Sequence, residues 1–591
     1  MSRIPSKTEI LRWISENPGK NSKREISRAF GIKGADRIDL KRMLKQLEQG
    51  GELEKRRKTY RDPNHLPPVA VLRVLGPDSD GDLFARPTEW QGENRAPRIL
   101  VVVRGSDPAL GEGDRILARL SAVADRDHEY EARLIRRIAS APQRMLGIFR
   151  VASAGGRVVP VERGADKEWR VAGNATNGAQ DGELVRAEQT GPKGRLGQPS
   201  AQVTERLGDP FAARSTSLIA IHRHAIPDEF AQDALAEAEH ATPPPPHTRE
   251  DLTQLPLVTI DPADARDHDD AVFAHPDDDA NNKGGHVVWV AIADVAHFVR
   301  PATALDREAR KRGNSTYFAD RVVPMLPDRL SGDLCSLHEG AVRACLAVRM
   351  VLDVDGEMTG HRFVRGFMKS AASLSYTDVQ AAFDGSPNEK TAPLLEDVIN
   401  PLYAAYATAR QARQLRQPLE LDLPERRIEL TEDGTVTSVA FRERLDAHRL
   451  IEEFMVLANV AAARQLIAKR CPVLFRVHEE PTREKLDVLR NVAQASGLTL
   501  AKGQVLKTRH LNALLSQARG TELAELINLT TLRSMTQAYY NAENFGHFGL
   551  ALTAYAHFTS PIRRYADLIT HRALITALGL GDDGLSDEEI G

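Results

Sequence analysis

At 591 residues the chain is about four times the length of a usual domain, too long for one hydrophobic core. Hydrophobic residues make up 41% and charged residues 27%, which excludes wholesale disorder, collagen-like repeats and an extended coiled coil. The 79 Lys and Arg against 82 Asp and Glu leave a net charge of −3, which taken alone argues against a nucleic-acid partner. The cysteines Cys335, Cys345 and Cys471 include no C-x-x-C pair, so neither a disulfide framework nor a zinc site is expected, and a reducing, cytoplasmic compartment is. No apolar run has the length of a membrane span and no signal-type block opens the chain, so neither secretion nor membrane insertion is expected.

In chain order, residues 1–66 carry 17 Lys and Arg against 9 Asp and Glu, a local charge of +8 that the total conceals. Ile10 to Ile14 reads as a short helix. Ser22-Lys-Arg-Glu25 is a capping box opening a second helix that Gly31 ends, and Ile38 to Leu47 is a third apolar-periodic stretch. After Gly50-Gly51 comes the basic ribbon Lys55 to Arg61, and the whole reads as a winged helix-turn-helix, a module for nucleic acid or for protein docking. From 67 to 140, short β-rich runs (Val69 to Val74, Leu83 to Ala85, Ile99 to Val103, Arg115 to Leu120) alternate with turn residues and predict a small barrel. A second barrel is predicted over 141–225, its last run reaching about Leu218. Both would suit single-stranded nucleic acid as OB or cold-shock folds, or serve as spacers. An Ala- and Glu-rich helix, Asp228 to His240, and an extended Pro243-Pro-Pro-Pro246 form a connector over 226–250. The largest domain, 251–591, follows.

The densest chemical signal lies at its start, Thr259-Ile-Asp261-Pro-Ala-Asp264-Ala-Arg-Asp267-His-Asp269-Asp270-Ala-Val-Phe273, between runs of buried-strand composition. At about 4 kcal/mol per like-charge pair 4 Å apart, carboxylates crowded at strand ends must be protonated or bridged by a cation. The donors are hard oxygens with no thiolate nearby, which favours Mg²⁺, with Mn²⁺ as the alternative, over zinc. The spacing is not that of an EF-hand loop. His268 reads as an outward-facing loop residue. Asn314-Ser-Thr-Tyr317-Phe318 offers aromatic faces for base stacking or for core packing. Tyr555-Ala-His-Phe-Thr-Ser560-Pro-Ile-Arg563-Arg564-Tyr565 reads as a helix start capped by Ser560 with Pro561 at the first position. Its arginines suit a phosphate or a structural ion pair.

The run Leu257 to Ala271, with Val290-Ala-Ile-Ala-Asp-Val, Pro324-Met-Leu-Pro, Leu334-Cys-Ser-Leu, Leu450-Ile-Glu-Glu-Phe-Met and His557-Phe-Thr-Ser-Pro-Ile-Arg-Arg-Tyr, closely resembles the catalytic domain of the ribonuclease II family. The basic head and the two barrels extend the resemblance over nearly the whole chain. It implies a multidomain α+β protein: a winged helix, two OB/cold-shock-like barrels and a large mixed α/β catalytic domain. It also implies a processive, hydrolytic 3′→5′ exoribonuclease that needs Mg²⁺ and converts single-stranded or 3′-overhang structured RNA to nucleoside 5′-monophosphates. Such an enzyme would act as a cytoplasmic monomer in RNA decay and quality control, with RNA as partner and the ribosome or decay factors as further partners. Matched residue by residue, Asp261, Asp267, Asp269 and Asp270 are the implied active-site and metal carboxylates, and Asp264 organises the loop. In a two-metal scheme the ions would lie about 3.5–4 Å apart. Arg563 matches the arginine that holds the scissile phosphate, with Arg564 beside it. Tyr317 matches the aromatic clamp of the terminal nucleotide, and Glu452 or Glu453 the glutamate that contacts ribose. Leu421 stands where well-known members carry a clamp phenylalanine. The family also continues past the position of Gly591 with further helices, an OB domain and a basic tail, so the resemblance implies a C-terminally truncated chain. The rival readings are a catalytically silent RNA-binding protein, a DNA-binding regulator and a phosphorolytic enzyme.

Overall fold

The computed structural model describes residues 5–16, 22–32, 36–49, 53–56, 59–61, 66–77, 82–88, 90, 96–102, 110, 114–123, 128–139, 144–161, 168–190, 200–424, 426–431, 436–441, 443–500, 506–586 and 590. It divides into two units, Met1–Ser215 and Thr216–Gly591. The first begins with helices α1 (Lys7–Glu16), α2 (Lys23–Ala29) and α3 (Asp36–Gln49), followed by the antiparallel strands β1 (Glu54–Arg56) and β2 (Thr59–Arg61). Ile10 and Ile14, then Leu40, Leu44 and Leu47, recur at helical spacing and meet Ile26 in a shared core. The capping box forms as read: Ser22 Oγ accepts from Glu25 N–H, and the Glu25 carboxylate accepts from Ser22 N–H at 3.0 Å. Gly31 leaves α2 with φ +65°, a conformation that other residues resist. The Gly50-Gly51 break and the side chains of the basic ribbon lie outside the described residues.

Strands β3 (Val69–Pro77), β4 (Leu83–Pro87), β5 (Ile99–Val102), β6 (Arg115–Ala122) and β7 (Tyr130–Ala139) close into a barrel in the order β3-β4-β5-β7-β6. The sequence pattern misses β7 because its inward positions are the modest Tyr130 and Ala132, while Arg and Glu alternate outward. A second closed barrel, β10-β12-β11-β8-β9, is built from β8 (Arg144–Ala152), β9 (Gly155–Pro160), β10 (Trp169–Ala172), β11 (Leu184–Thr190) and β12 (Ser200–Gly208). Its strands stop at Gly208. The apolar run read as strand up to Leu218 is instead part of helix α4 (Ala213–Arg223).

In the second unit α5 (Gln232–Glu239) is shorter than the expected helix, and the proline run is extended until one 3₁₀ turn, Pro246–Thr248. The chain continues through β13 (Glu250–Asp251), β14 (Val258–Asp261), β15 (Asp270–Pro276), β16 (His286–Ala293), the short α6 (Val295–Phe298), α7 (Ala304–Arg312) and the pair β17 (Thr316–Tyr317) and β18 (Val322–Val323). Next come β19 (Val342–Leu352), β20 (Met358–Lys369), β21 (Ala372–Ser375), α8 (Tyr376–Phe383), α9 (Asn400–Arg416) and the hairpin β22 (Arg426–Leu430) and β23 (Val436–Phe441). The last elements are α10 (Asp446–Ala468), β24 (Phe475–Val477), α11 (Arg483–Ala495), α12 (Thr508–Ala518), α13 (Ala524–Ser534), β25 (Tyr539–Asn541) and α14 (Tyr565–Leu578).

A seven-stranded mixed sheet, β13-β20-β19-β16-β15-β14-β21, forms the spine. Val288, Val290 and Ile292 of β16 pack on one side with residues of α8, α9 and α10. Val287, Trp289, Ala291 and Ala293 pack on the other with residues of α5 and α7. Coverage on both faces explains why β16 reads as an unbroken apolar run rather than an alternating one. Among the described residues no helix is long and apolar enough to cross a membrane, and all three cysteines are free.

Candidate active site

The sheet register gathers the acids. β14 ends on Asp261 and β15 begins on Asp270, so the connector 262–269 lies at one end of the sheet, as the flanking apolar runs predict. Its far end is pinned. His268 N–H donates to the buried Ser336 Oγ (3.0 Å), the His268 carbonyl accepts from Leu337 N–H (3.0 Å), and the Asp269 carbonyl accepts from Ala293 N–H (2.9 Å). Leu334-Cys-Ser-Leu337 thus clamps the acidic loop. Asp264 is exposed at the opposite end of the connector.

The arginine segment meets this loop from the other side of the chain. Ile562 N–H donates to Asp269 Oδ1 (2.9 Å), and Arg563 Nε lies 3.4 Å from Asp269 Oδ2. Arg563 also donates from Nη2 to Ser560 Oγ (3.0 Å), while its side chain stays 45% exposed, open to a substrate. The expected cap at Ser560 is not what forms: α14 begins at Tyr565. The fully buried Asp567 carboxylate accepts from Ser560 N–H and from Arg564 Nε and Nη2, each at 2.8 Å, and this draws residues 560–564 into a tight turn before the helix. Arg564, expected to contact RNA, is therefore turned to Asp567.

The same segment is zipped to the aromatic loop. Ser315 N–H donates to the Arg563 carbonyl and Tyr565 N–H to the Gly313 carbonyl, both at 2.9 Å. That places the 52% exposed Tyr317 beside the acids. Its phenol is pushed up to about 12, first by burial, then by the negative charge of Asp267.

The acids influence one another strongly. Burial, and then Asp267 among its neighbours, raises Asp269 to about 7 against the opposing pull of Arg563 and the Ile562 amide. Burial followed by the charges of Asp261 and Asp269 lifts Asp270 well above the usual carboxylate range, and burial with Asp261 lifts Asp267. His268, expected to face outward, is largely buried. Its Nδ1 lies 2.6 Å from Asp261 Oδ2, and this contact raises the imidazole's pKa. Hard oxygens that raise each other's proton affinity are the donor chemistry of a divalent cation. Among the described residues, however, no three His, Cys, Asp or Glu side chains are arranged to hold a metal ion. Asp261 is turned to His268, and Asp269 to Ile562 N–H and Arg563.

The structure separates the two glutamates of α10. Glu453 is buried and ion-paired to Arg413 (3.1 Å) and Arg416 (3.2 Å), whereas Glu452 is 37% exposed and pairs with the exposed Arg444. Leu421 packs with Leu419 against the helical cluster of α11 to α13 rather than forming a clamp. Sequence reasoning missed Asn459, buried in α10, whose Oδ1 accepts from Phe558 N–H (2.6 Å) and whose Nδ2 donates to Tyr555 Oη (3.0 Å). It also missed His571, which pairs its Nε2 with the Phe558 carbonyl (2.7 Å) and stacks on the Phe558 ring. A lone Asn in the apolar run Val456 to Ala463 was the signal available for the first.

An acidic loop facing a half-exposed arginine, an exposed aromatic beside both and two oligonucleotide-type barrels in the same chain define a nuclease. An RNB domain model matches residues 249–579, and a cold shock domain model matches residues 158–231. The chain is 36% identical over 579 residues to ribonuclease R of Escherichia coli (strain K12), covering 97% of this chain and 70% of the relative. Among solved structures, Mycoplasma genitalium RNase R in complex with ribose-methylated single-stranded RNA aligns with a TM-score of 0.68 at 23% identity, over 88% of this chain and 81% of that one. The same enzyme with double-stranded RNA aligns at 0.67 and 25% identity, over 77% and 81%. The chain belongs to the ribonuclease II/ribonuclease R family and is a hydrolytic 3′→5′ exoribonuclease.

Proposed function

We propose that hydrolysis takes place between the acidic loop and Arg563, on the 3′-terminal nucleotide of an RNA strand. The observation that carries this reading is the contact of Arg563 with Asp269, a half-exposed cation aimed at the most enclosed acid of a mutually repelling set. Arg563 holds the scissile phosphate and offsets the negative charge that grows in the transition state, and its bond to Ser560 Oγ fixes its approach. Tyr317 stacks on the terminal base, which orients the last phosphodiester without selecting among bases. Glu452, open to solvent on α10, reads the ribose 2′-OH, while Glu453 braces the helix.

Asp261, Asp267, Asp269 and Asp270 are the carboxylates that would hold Mg²⁺, with Mn²⁺ as a substitute, on turning from the His268, Ile562 and Arg563 contacts that engage Asp261 and Asp269 here. When bound, the metal supplies positive charge for the phosphoryl oxygens and a water made acidic enough to attack near neutral pH. The structures of Mycoplasma genitalium RNase R in complex with single- and double-stranded RNA support a substrate that is single-stranded at its 3′ end, with or without a duplex behind it. Processive release of nucleoside 5′-monophosphates by a cytoplasmic monomer in RNA decay completes the reading, with the winged helix as a contact for RNA, the ribosome or decay factors.

Incubation with Mg²⁺ and a 5′-labelled RNA bearing a 3′ overhang tests it. The expected result is progressive shortening to a short end product with nucleoside monophosphates released, and loss of hydrolysis with retained RNA binding in Asp269→Asn. An unchanged RNA, or full turnover in Asp269→Asn, would overturn the assignment.

A further inference from the structure

Beyond the acids, the strand pair β24–β25 carries a cation that the hydrolytic site does not use. Arg476 and Tyr540 are direct cross-strand partners, so their side chains share a face, and the guanidinium lies over the phenol ring, 4.8 Å from its centroid. Tyr540 is exposed, and its hydroxyl lies 2.7 Å from His557 Nδ1. Arg476 N–H donates to the Tyr555 carbonyl (2.8 Å), which fixes the pair beside residues 555–557. Five residues separate His557 from Arg563, at most about 20 Å of chain. Arg564 and Asp567 act electrostatically on Tyr540 and His557, so the patch borders the arginine turn.

Charge balance is what singles the patch out. Every other arginine at this end of the site has an acid: Arg563 faces Asp269 and Arg564 faces Asp567. Arg476 has no carboxylate partner among the described residues. The groups around it, His478, His547, His557 and Tyr540, stay neutral near pH 7, so none of them compensates its charge. An arginine with no carboxylate partner, over one face of an exposed aromatic ring, offers one phosphate contact and leaves the ring's other face for stacking.

We infer that Arg476, Tyr540 and His557 form a subsite for an RNA nucleotide upstream of the scissile bond, with Arg476 on its phosphate and Tyr540 beneath its base. The inference rests on the reading of the chain as an RNA hydrolase and names a further part of that substrate path. Tyr540 is held in its orientation by His557, and the residues between His557 and Arg563 link occupancy of the subsite to the turn that carries the catalytic arginine.

The test measures binding of a 5′-fluorescein oligoadenylate to the full chain carrying Asp269→Asn, by anisotropy over a series of KCl concentrations. Adding Arg476→Met is expected to reduce the slope of log affinity against log salt by about 0.7, the value for one phosphate on a single strand. Arg476→Lys is expected to keep that slope. Adding Tyr540→Ala is expected to weaken binding about tenfold, and Tyr540→Phe to restore most of it. Tyr540 is exposed, so its truncation spares the fold, which circular dichroism checks, and the test stays decisive if Arg476→Met loses structure. Parent affinity and parent salt slope in Arg476→Met and Tyr540→Ala would overturn the inference. Failure of the hydrolase reading is a separate outcome, uncut RNA with the unsubstituted chain and Mg²⁺.

Discussion

Asp567→Ala probes how Arg563, the proposed catalytic arginine, is positioned. The carboxylate is fully buried and holds Ser560 N–H and two nitrogens of Arg564, each at 2.8 Å, with Arg564 itself only 26% exposed. Removing one partner of a buried ion pair costs about 3–5 kcal/mol, because the other charge stays behind uncompensated. An unsatisfied buried N–H costs about 1–3 kcal/mol and overlaps with that figure, since one carboxylate serves both groups. The loss also reaches the chemistry. Ser560 is the near wall of Arg563, and a shift of about 1 Å in a positioning group costs on the order of 100-fold in rate. The expected result is a thermal transition of the catalytic unit lowered in proportion, and a kcat on saturating RNA reduced about 10- to 100-fold. RNA affinity, set largely elsewhere, changes little. Asp567→Asn keeps an acceptor for Ser560 N–H and loses only the charge, so it falls between, at about 1.5–3 kcal/mol. Calorimetry and single-turnover hydrolysis read the two effects. An Asp567→Ala chain within 1 kcal/mol of the parent and with unaltered kcat would show that Asn459 and His571 suffice to hold the turn, and would refute the reasoning.

Glu453→Gln leaves Arg413 and Arg416 without their buried acid and should cost about 3–5 kcal/mol, whereas Glu452→Gln should leave the melting transition in place and narrow the preference for RNA over DNA. Comparing melting curves and cleavage of matched RNA and DNA strands separates the two. Tyr317→Ala should weaken binding of the 3′ terminus by about 1–3 kcal/mol with Tyr317→Phe close to the parent, read as KM on single-stranded RNA. Acid should remove the stability that neutral His547 and His571 contribute, while the raised Asp269 acts in the opposite sense. Burial depresses His547 and His571 to about 4 in the fold, against 6.5 for the free group. As pH falls below 6.5 these imidazoles take up protons in the unfolded chain but not in the folded one, so their contribution is lost progressively down to about pH 4. For the fully buried His571 the loss amounts to about 3 kcal/mol. Urea midpoints at pH 7 and pH 5 for the parent and for His571→Gln, which keeps a donor for the Phe558 carbonyl without titrating, check this: between the two pH values the parent should lose more stability, or gain less, than the variant.

How far the sequence reached is clearest element by element. Helical spacing of Ile10, Ile14, Leu40, Leu44 and Leu47 and the Ser22 capping box marked the first three helices, because those signals are local. The unbroken apolar run at β16 announced a buried strand, and the structure covers it on both faces. The crowding of Asp261, Asp267, Asp269 and Asp270 between strands was equally legible, since like charges at that density need an explanation whatever the fold. The strand β7 escaped because alanine and tyrosine carry its inward face, and α4 was mistaken for strand because a short apolar run has no period of its own.

By itself, then, the sequence determined the kinds of module, their order, the acidic loop and the arginine pair, all properties of residues close together in the chain. Tertiary structure alone decided which of two adjacent glutamates is exposed, that Arg564 belongs to Asp567 while Arg563 faces Asp269, that His268 turns inward to Asp261, and that Leu421 packs among helices. Apart from the His268–Asp261 contact, seven residues apart, and the Arg564–Asp567 pair, each of these depends on partners far away in the chain. Even at that pair, three residues apart, an arginine free for a phosphate and one already neutralised read the same until the folded chain shows which carboxylate lies beside it.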